Sequence, residues 1–132
     1  MKIKSIHHIT INLKDEKKTA DFYGKLLELK RLPDVDMGDH RLIYFELPGN
    51  VRLEFIDYYE KDRCGMAIAP SNTPGSARHF AFEVEDAFLA QKKMEEYGLE
   101  IVSAAKKVEE LSFIGFLAKE PNGFELEFIQ RI

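Results

Sequence analysis

The tetrapeptide Leu-Glu-Phe-Ile occurs twice, at Leu53–Ile56 and at Leu126–Ile129. Each copy begins five residues after a proline, in LPGNVRLEFI and in EPNGFELEFI. A recurrence of this kind constrains the architecture strongly, because a duplicated unit settles both halves of a chain at once. Sliding the first half by 73 places Pro48 on Pro121 and one Leu-Glu-Phe-Ile on the other. Sliding it by 71 places His8 on His79, Ile9 on Phe80, Ile11 on Phe82, Leu13 on Val84 and Asp15 on Asp86. The offsets differ by two, so one small length change between these segments reconciles them.

Local patterns agree with duplication. SIHHITINL alternates apolar and polar residues and is rich in β-branched side chains, as a half-buried strand is. KKTADFYGKLLEL then sets Ala20, Tyr23, Leu26 and Leu27 on one helical face. RLIYFEL and VRLEFIDY flank the turn Pro-Gly-Asn, which predicts a hairpin. In the second half RHFAFEVED reads as a strand and AFLAQKKMEEYG as a helix, with Ala87, Ala90, Met94 and Tyr97 on one side and Gly98 closing it. LEIVSA, LSFIGFLAK, the turn Pro-Asn-Gly and FELEFIQRI complete it. Each half spells strand, helix and three strands. The expected layout is one domain over 1–132, with module one at 3–58, a Gly-, Pro- and Ser-rich linker at 59–77 and module two at 78–132. At 45% hydrophobic residues the chain can fill a sizeable core.

Strand parity then decides which side chains converge. Ile9, Ile11 and Leu13 form the helix-facing side of the first strand, leaving His8, Thr10 and Asn12 opposite. His7 shares the parity of the apolar set and is expected to point away from His8. Phe80, Phe82 and Val84 leave His79, Ala81 and Glu83 opposite. Val51, Leu53 and Phe55 oppose Arg52 and Glu54, and Phe124, Leu126 and Phe128 oppose Glu125 and Glu127. His8, Glu54, His79 and Glu127 therefore stand on non-core faces, two from each half. A single exposed His or Glu on a strand is ordinarily surface, but four at repeat-related positions form a ligand set. Two imidazoles and two carboxylates suit a divalent ion such as Zn, Ni, Co, Mn or Fe, and the lack of thiolate argues against a purely structural zinc site. Arg52 shares the parity of Glu54 and Asn12 that of His8, which makes both candidate substrate contacts. His40, in the gap before a strand, is left out of the site.

Other features exclude whole classes. Net charge is −4, and the Lys pairs at 17–18, 92–93 and 106–107 are isolated, so no nucleic-acid groove is expected. No apolar run reaches membrane-spanning length, and the histidines interrupt any signal-peptide core. One cysteine, Cys64, cannot form an internal disulfide, which fits a reducing, cytoplasmic setting. It lies in a polar loop with no activating neighbour.

HHITINLKD with ADFYGKLLEL, RHFAFEVED and EPNGFELEF resemble the vicinal oxygen chelate superfamily, which includes glyoxalase I, bleomycin- and fosfomycin-resistance proteins, methylmalonyl-CoA epimerase and extradiol dioxygenases. The resemblance implies an α+β fold of two βαβββ modules forming a curved mixed sheet around a metal cleft. It implies that His8, Glu54, His79 and Glu127 hold a divalent metal, with Glu127 rather than Glu125 the final ligand. Extradiol dioxygenases use three protein ligands, so a fourth at Glu54 points to a glyoxalase I-like lyase or isomerase acting on a small substrate with vicinal oxygens through an enediolate. Glu127 would be its base and Glu54 a partner acid/base. The alternatives implied are a ferrous extradiol-type dioxygenase and a non-enzymatic binder of the bleomycin-resistance type. A homodimer is implied, its cleft built within one chain or across two.

Overall fold

The computed structural model of the chain describes residues 1–61 and 72–132. Arg63, Cys64 and the middle of the expected linker lie outside the described residues. The chain divides into two compact units, Met1–Ala67 and Ile68–Ile132.

The first unit runs β1 (His8–Asn12), α1 (Glu16–Ala20), a wide helical turn (Asp21–Leu26), β2 (Arg31–Asp36), β3 (His40–Leu47) and β4 (Val51–Tyr58). Its sheet has the order β1-β4-β3-β2, with β1 parallel to β4 and the other pairs antiparallel. The second unit runs β5 (His79–Glu83), α2 (Ala87–Tyr97), β6 (Ile101–Val108), β7 (Phe113–Lys119) and β8 (Glu125–Arg131). Its sheet has the corresponding order β5-β8-β7-β6 and the same mixture of pairings. These are the two βαβββ modules that the repeat predicts, and they make an α+β fold.

Register carries the duplication to the level of single rungs. Thr10 pairs with Glu54 and Ala81 with Glu127. Tyr44 pairs with Glu54 from the other side, as Leu117 does with Glu127. The repeat-related Asp15 and Asp86 cap their helices alike, accepting from the backbone N–H of Lys18 and of Leu89 at 2.9 Å. The length difference is local: β6 is longer than β2, and the turn after it is longer too. β2 is the strand that the repeat requires but the residue pattern does not place, because Pro33 interrupts it. It is tolerated there because β2 is an edge strand, with an irregular register between Leu32 and Val35.

Both hairpins close on three residues. Leu47 and Val51 flank Pro48-Gly49-Asn50. Glu120 donates its N–H to the Phe124 carbonyl at 2.9 Å across Pro121-Asn122-Gly123. The last loop residue is left-handed in both, Asn50 at φ 61° and Gly123 at φ 88°, which only Gly and Asn adopt readily. Glu120 is buried, and its carboxylate accepts from the N–H groups of Asn122 (2.7 Å) and Phe124 (3.0 Å) and from the Asn122 amide (2.9 Å).

The cores differ in one instructive way. The helical face expected at Ala20, Tyr23, Leu26 and Leu27 is corrected: Thr19, Phe22 and Tyr23 are buried, and the other three are half-buried. Regular helix gives way at Asp21 to a wider turn, in which the Leu27 N–H reaches the Phe22 carbonyl at 2.9 Å. Widening turns two consecutive residues inward. Tyr23 then packs on Phe22, Phe45 and Phe55 with ring centroids 4.7, 5.8 and 5.0 Å away. In the second unit α2 stays regular. Met94, the counterpart of Tyr23, is buried, while Lys93, the counterpart of Phe22, is exposed. Tyr97, grouped with Met94 on one side of the helix, is exposed as well. There the strands supply the aromatic volume, with Phe116 stacked on Phe128 at 5.0 Å and Phe80 on Phe124 at 5.4 Å.

Ion pairs tie α1 to the sheet of the first unit. Arg41 on β3 donates to Glu16 (2.6 Å) and Asp57 (2.7 Å), and Lys61 reaches Asp57 at 2.5 Å. The Arg41 hydrogen bond outweighs the opposing effect of burial and, with a lesser contribution from the Arg31 hydrogen bond, holds Glu16 below the usual carboxylate range. For Asp57, burial alone would raise the pKa. The hydrogen bonds from Lys61 and Arg41 outweigh it, and the net shift is downward.

Candidate functional site

The second unit brings its two predicted ligands together. His79 opens β5, and Glu127 lies on the neighbouring β8, one alternation along the same face. His79 Nε2 and Glu127 Oε2 are 3.2 Å apart, with side-chain exposures of 27% and 22%. Glu125 pairs directly with His79 in the strand register. The His79 Nδ1 and one Glu125 oxygen, Oε2, are buried without a hydrogen-bond partner among the described residues.

The first unit arranges its pair differently. His8 opens β1 and is exposed, and its Nδ1 meets the Nδ1 of His7 at 2.8 Å. The expectation that these two rings point apart is corrected. His7 precedes the strand, so pleat alternation does not govern it. Glu54 is only 8% exposed. Its Oε1 accepts from the Thr10 hydroxyl at 3.0 Å and its Oε2 from the Tyr44 hydroxyl. Burial, and then the hydrogen bond to Glu54, push the Tyr44 phenol up to about 12, so Tyr44 stays a donor at neutral pH. The Arg52 guanidinium lies 5.5 Å from the Tyr44 ring centroid, within cation–π range. Asn12 ends β1 and is exposed. His40 is not in a gap: it opens β3, opposite Tyr58, and contacts Asp39 at 2.6 Å.

Sequence reasoning missed Tyr44 and gave Thr10 no role. A usable signal existed, since the repeat aligns Thr10 with Ala81 and Tyr44 with Leu117. Two hydroxyls on one carboxylate's rung, and none on its counterpart's, is a chemical asymmetry inside a structural symmetry.

The donor set can be tested against a divalent ion. With ligand bonds of about 2.1 Å, two adjacent donors stand about 3.0 Å apart in octahedral and about 3.4 Å apart in tetrahedral geometry. The 3.2 Å between His79 Nε2 and Glu127 Oε2 falls between those values. With the His7 contact on Nδ1, His8 keeps Nε2 for a ligand, and each Glu54 oxygen retains a lone pair beyond the hydroxyl it accepts. The spacing of His79 and Glu127 fits a cation, and among the described residues no three or more His, Cys, Asp or Glu side chains gather into a group that could hold a metal ion.

No helix among the described residues is long and apolar enough to cross a membrane. Among curated proteins the chain is similar to the lactoylglutathione lyase of Neisseria meningitidis serogroup A, with 25% identity over 129 residues, covering 94% of this chain and 88% of that one. Among solved structures it is similar to a glyoxalase family protein from Enterococcus faecalis (TM-score 0.76, 23% identity, 96% and 97% of the two chains). It is also similar to TnmS3, an antibiotic binding protein from Streptomyces sp. CB03234 (TM-score 0.71, 17% identity, 100% and 99%). The sequence model of the Glyoxalase/Bleomycin resistance protein/Dioxygenase superfamily matches residues 5–128, and the chain belongs to that superfamily.

Proposed function

We propose that the chain is a metal-dependent lyase or isomerase of the glyoxalase I type, acting in the cytoplasm, as a homodimer, on a small substrate with vicinal oxygens. In this reading the two modules build one domain, and His8, Glu54, His79 and Glu127 hold a divalent ion (Zn, Ni, Co, Mn or Fe). The observation that carries it is the His79–Glu127 pair, whose 3.2 Å separation matches adjacent donors on one cation. Distant similarity to a lactoylglutathione lyase supports the same class.

A bound cation would supply Lewis-acid stabilisation of negative charge on the substrate's neighbouring oxygens. Glu127 takes the proton from the carbon beside the carbonyl and returns it to the adjacent carbon. Only His79 engages it among the described polar groups, and its rung neighbours Ala81 and Leu117 offer it no donor. Glu54 serves as partner acid/base within reach of Tyr44 and Thr10. Arg52, exposed beside Tyr44, pairs with an anionic group on the substrate, and Asn12 offers an amide at the end of the same face. The experiment is conversion of the methylglyoxal–glutathione hemithioacetal by protein reconstituted with each metal in turn. Turnover supports the assignment, and inactivity with every metal opposes it.

One observation favours a second reading. Both Glu54 oxygens already accept hydroxyls, which suits a ferrous dioxygenase holding iron through His8, His79 and Glu127, with Glu54 bonded to a water. Oxygen uptake with a catechol panel, absent with the hemithioacetal, identifies it.

A further inference from the structure

The two carboxylates that duplication makes equivalent are not equivalent in their surroundings. Glu54 lies between Thr10 on β1 and Tyr44 on β3, and each of its oxygens accepts one of their hydroxyls. Glu127 occupies the same rung of the second sheet, between Ala81 and Leu117. Neither neighbour carries a donor. Arg52 lies over the Tyr44 ring and braces it, whereas the repeat places Glu125 and Leu117 at those two positions. The burial follows the chemistry, with Glu54 at 8% exposure and the Glu127 side chain at 22%.

We propose that Thr10 and Tyr44 are positioning residues that fasten the Glu54 carboxylate in one orientation, leaving Glu127, met on one oxygen by His79 and by no hydroxyl, as the carboxylate that turns to carry a proton. Two donors on opposite oxygens fix both the side-chain rotamer and the plane of the carboxylate, and both would have to break for Glu54 to swing. Glu127 has neither hydroxyl and meets His79 on one oxygen alone, at 3.2 Å, among the described side chains. The fastening is a property of the fold. That it divides labour between a stationary and a mobile carboxylate rests on the proposed reading of the site.

The test uses the full chain, stripped of metal and treated with a water-soluble carbodiimide and glycinamide, with amidation of Glu54 and Glu127 followed by peptide mass mapping. In the parent protein Glu127 is expected to react about tenfold faster than Glu54 or more, the range that a pair of hydrogen bonds to a charged group supports. Thr10→Val with Tyr44→Phe preserves shape and removes both donors, so Glu54 amidation should rise while Glu127 stays constant. Thr10→Ser should restore protection in the Thr10→Val background. Should the double variant fail to fold, Ala81→Thr with Leu117→Tyr installs the same donors beside Glu127 and should slow its labelling. Equal labelling of the two residues in the parent, or a Glu54 rate unmoved by loss of the hydroxyls, overturns the proposal. A parallel Co²⁺ titration read by visible absorption separates the two readings. Absence of Co²⁺ uptake by the parent protein strikes the metal reading alone. With uptake, Co²⁺ affinity about tenfold weaker in the Thr10→Val/Tyr44→Phe variant ties the fastening to the cation, and unchanged affinity overturns that link.

Discussion

His79 Nε2 and Glu127 Oε2 stand 3.2 Å apart on neighbouring strands of one sheet, while their repeat counterparts His8 and Glu54 each take other partners, His7 for the first and Thr10 with Tyr44 for the second. Duplication reproduced the backbone rungs in both modules. Divergence of a few side chains on those rungs then produced one open pair and one enclosed carboxylate.

The two carboxylates should therefore respond differently to amide substitution. Glu127→Gln is expected to lower kcat on the hemithioacetal by about 10²- to 10⁴-fold, the usual worth of a positioned base. Glu54→Gln should cost less in kcat, because a carboxylate held by two donors is the partner acid/base and not the group that first takes the proton. Steady-state kinetics on the two variants checks the order. Equal losses would contradict it.

The wide turn at Asp21–Leu26 makes a stability prediction that the repeat sharpens. Phe22→Ala removes a fully buried ring and should cost about 3–5 kcal/mol. Lys93→Ala, at the matching position of α2, alters an exposed side chain and should stay within about 0.5 kcal/mol of the parent. Urea unfolding of both variants reads the contrast.

The ion pairs around Arg41 predict a pH dependence. Asp57 and Glu16 have pKa values lowered in the folded chain. Between the folded and unfolded values the unfolded chain binds more protons, so stability rises with pH across that window. Their contribution is complete above the unfolded values, about 4 to 4.5, and is lost as pH falls through the folded ones. Arg41→Met should flatten that acid limb and cost about 1–2 kcal/mol at neutral pH, a discounted value because Glu16 is 44% exposed. Thermal melts from pH 3 to pH 7 measure both effects.

Much of this arrangement was legible in the chain because it depends on strand parity. The faces of His8, Glu54, His79 and Glu127 follow from alternation alone, and the offsets of 71 and 73 follow from matched motifs. The features that escaped depend on something other than period. The turn that buries Phe22 beside Tyr23 breaks the 3.6-residue rule from which a helical face is drawn. β2 is hidden by Pro33, acceptable because β2 is the edge strand of its sheet among the described residues. His7 escapes alternation because it lies before β1. The grip of Thr10 and Tyr44 on Glu54 joins three strands, and no single strand's pattern encodes it. Comparing the repeats position by position would have exposed it.

The most direct measurement is the metal content of the protein purified without chelator, set against that of His79→Ala. The expected result is a bound first-row divalent ion in the parent and affinity weakened more than about 100-fold in the variant, since outer-shell partners alone are worth 10- to 100-fold. A parent protein free of such an ion and unable to take one up, or a variant that retains the same stoichiometry and affinity, would contradict it.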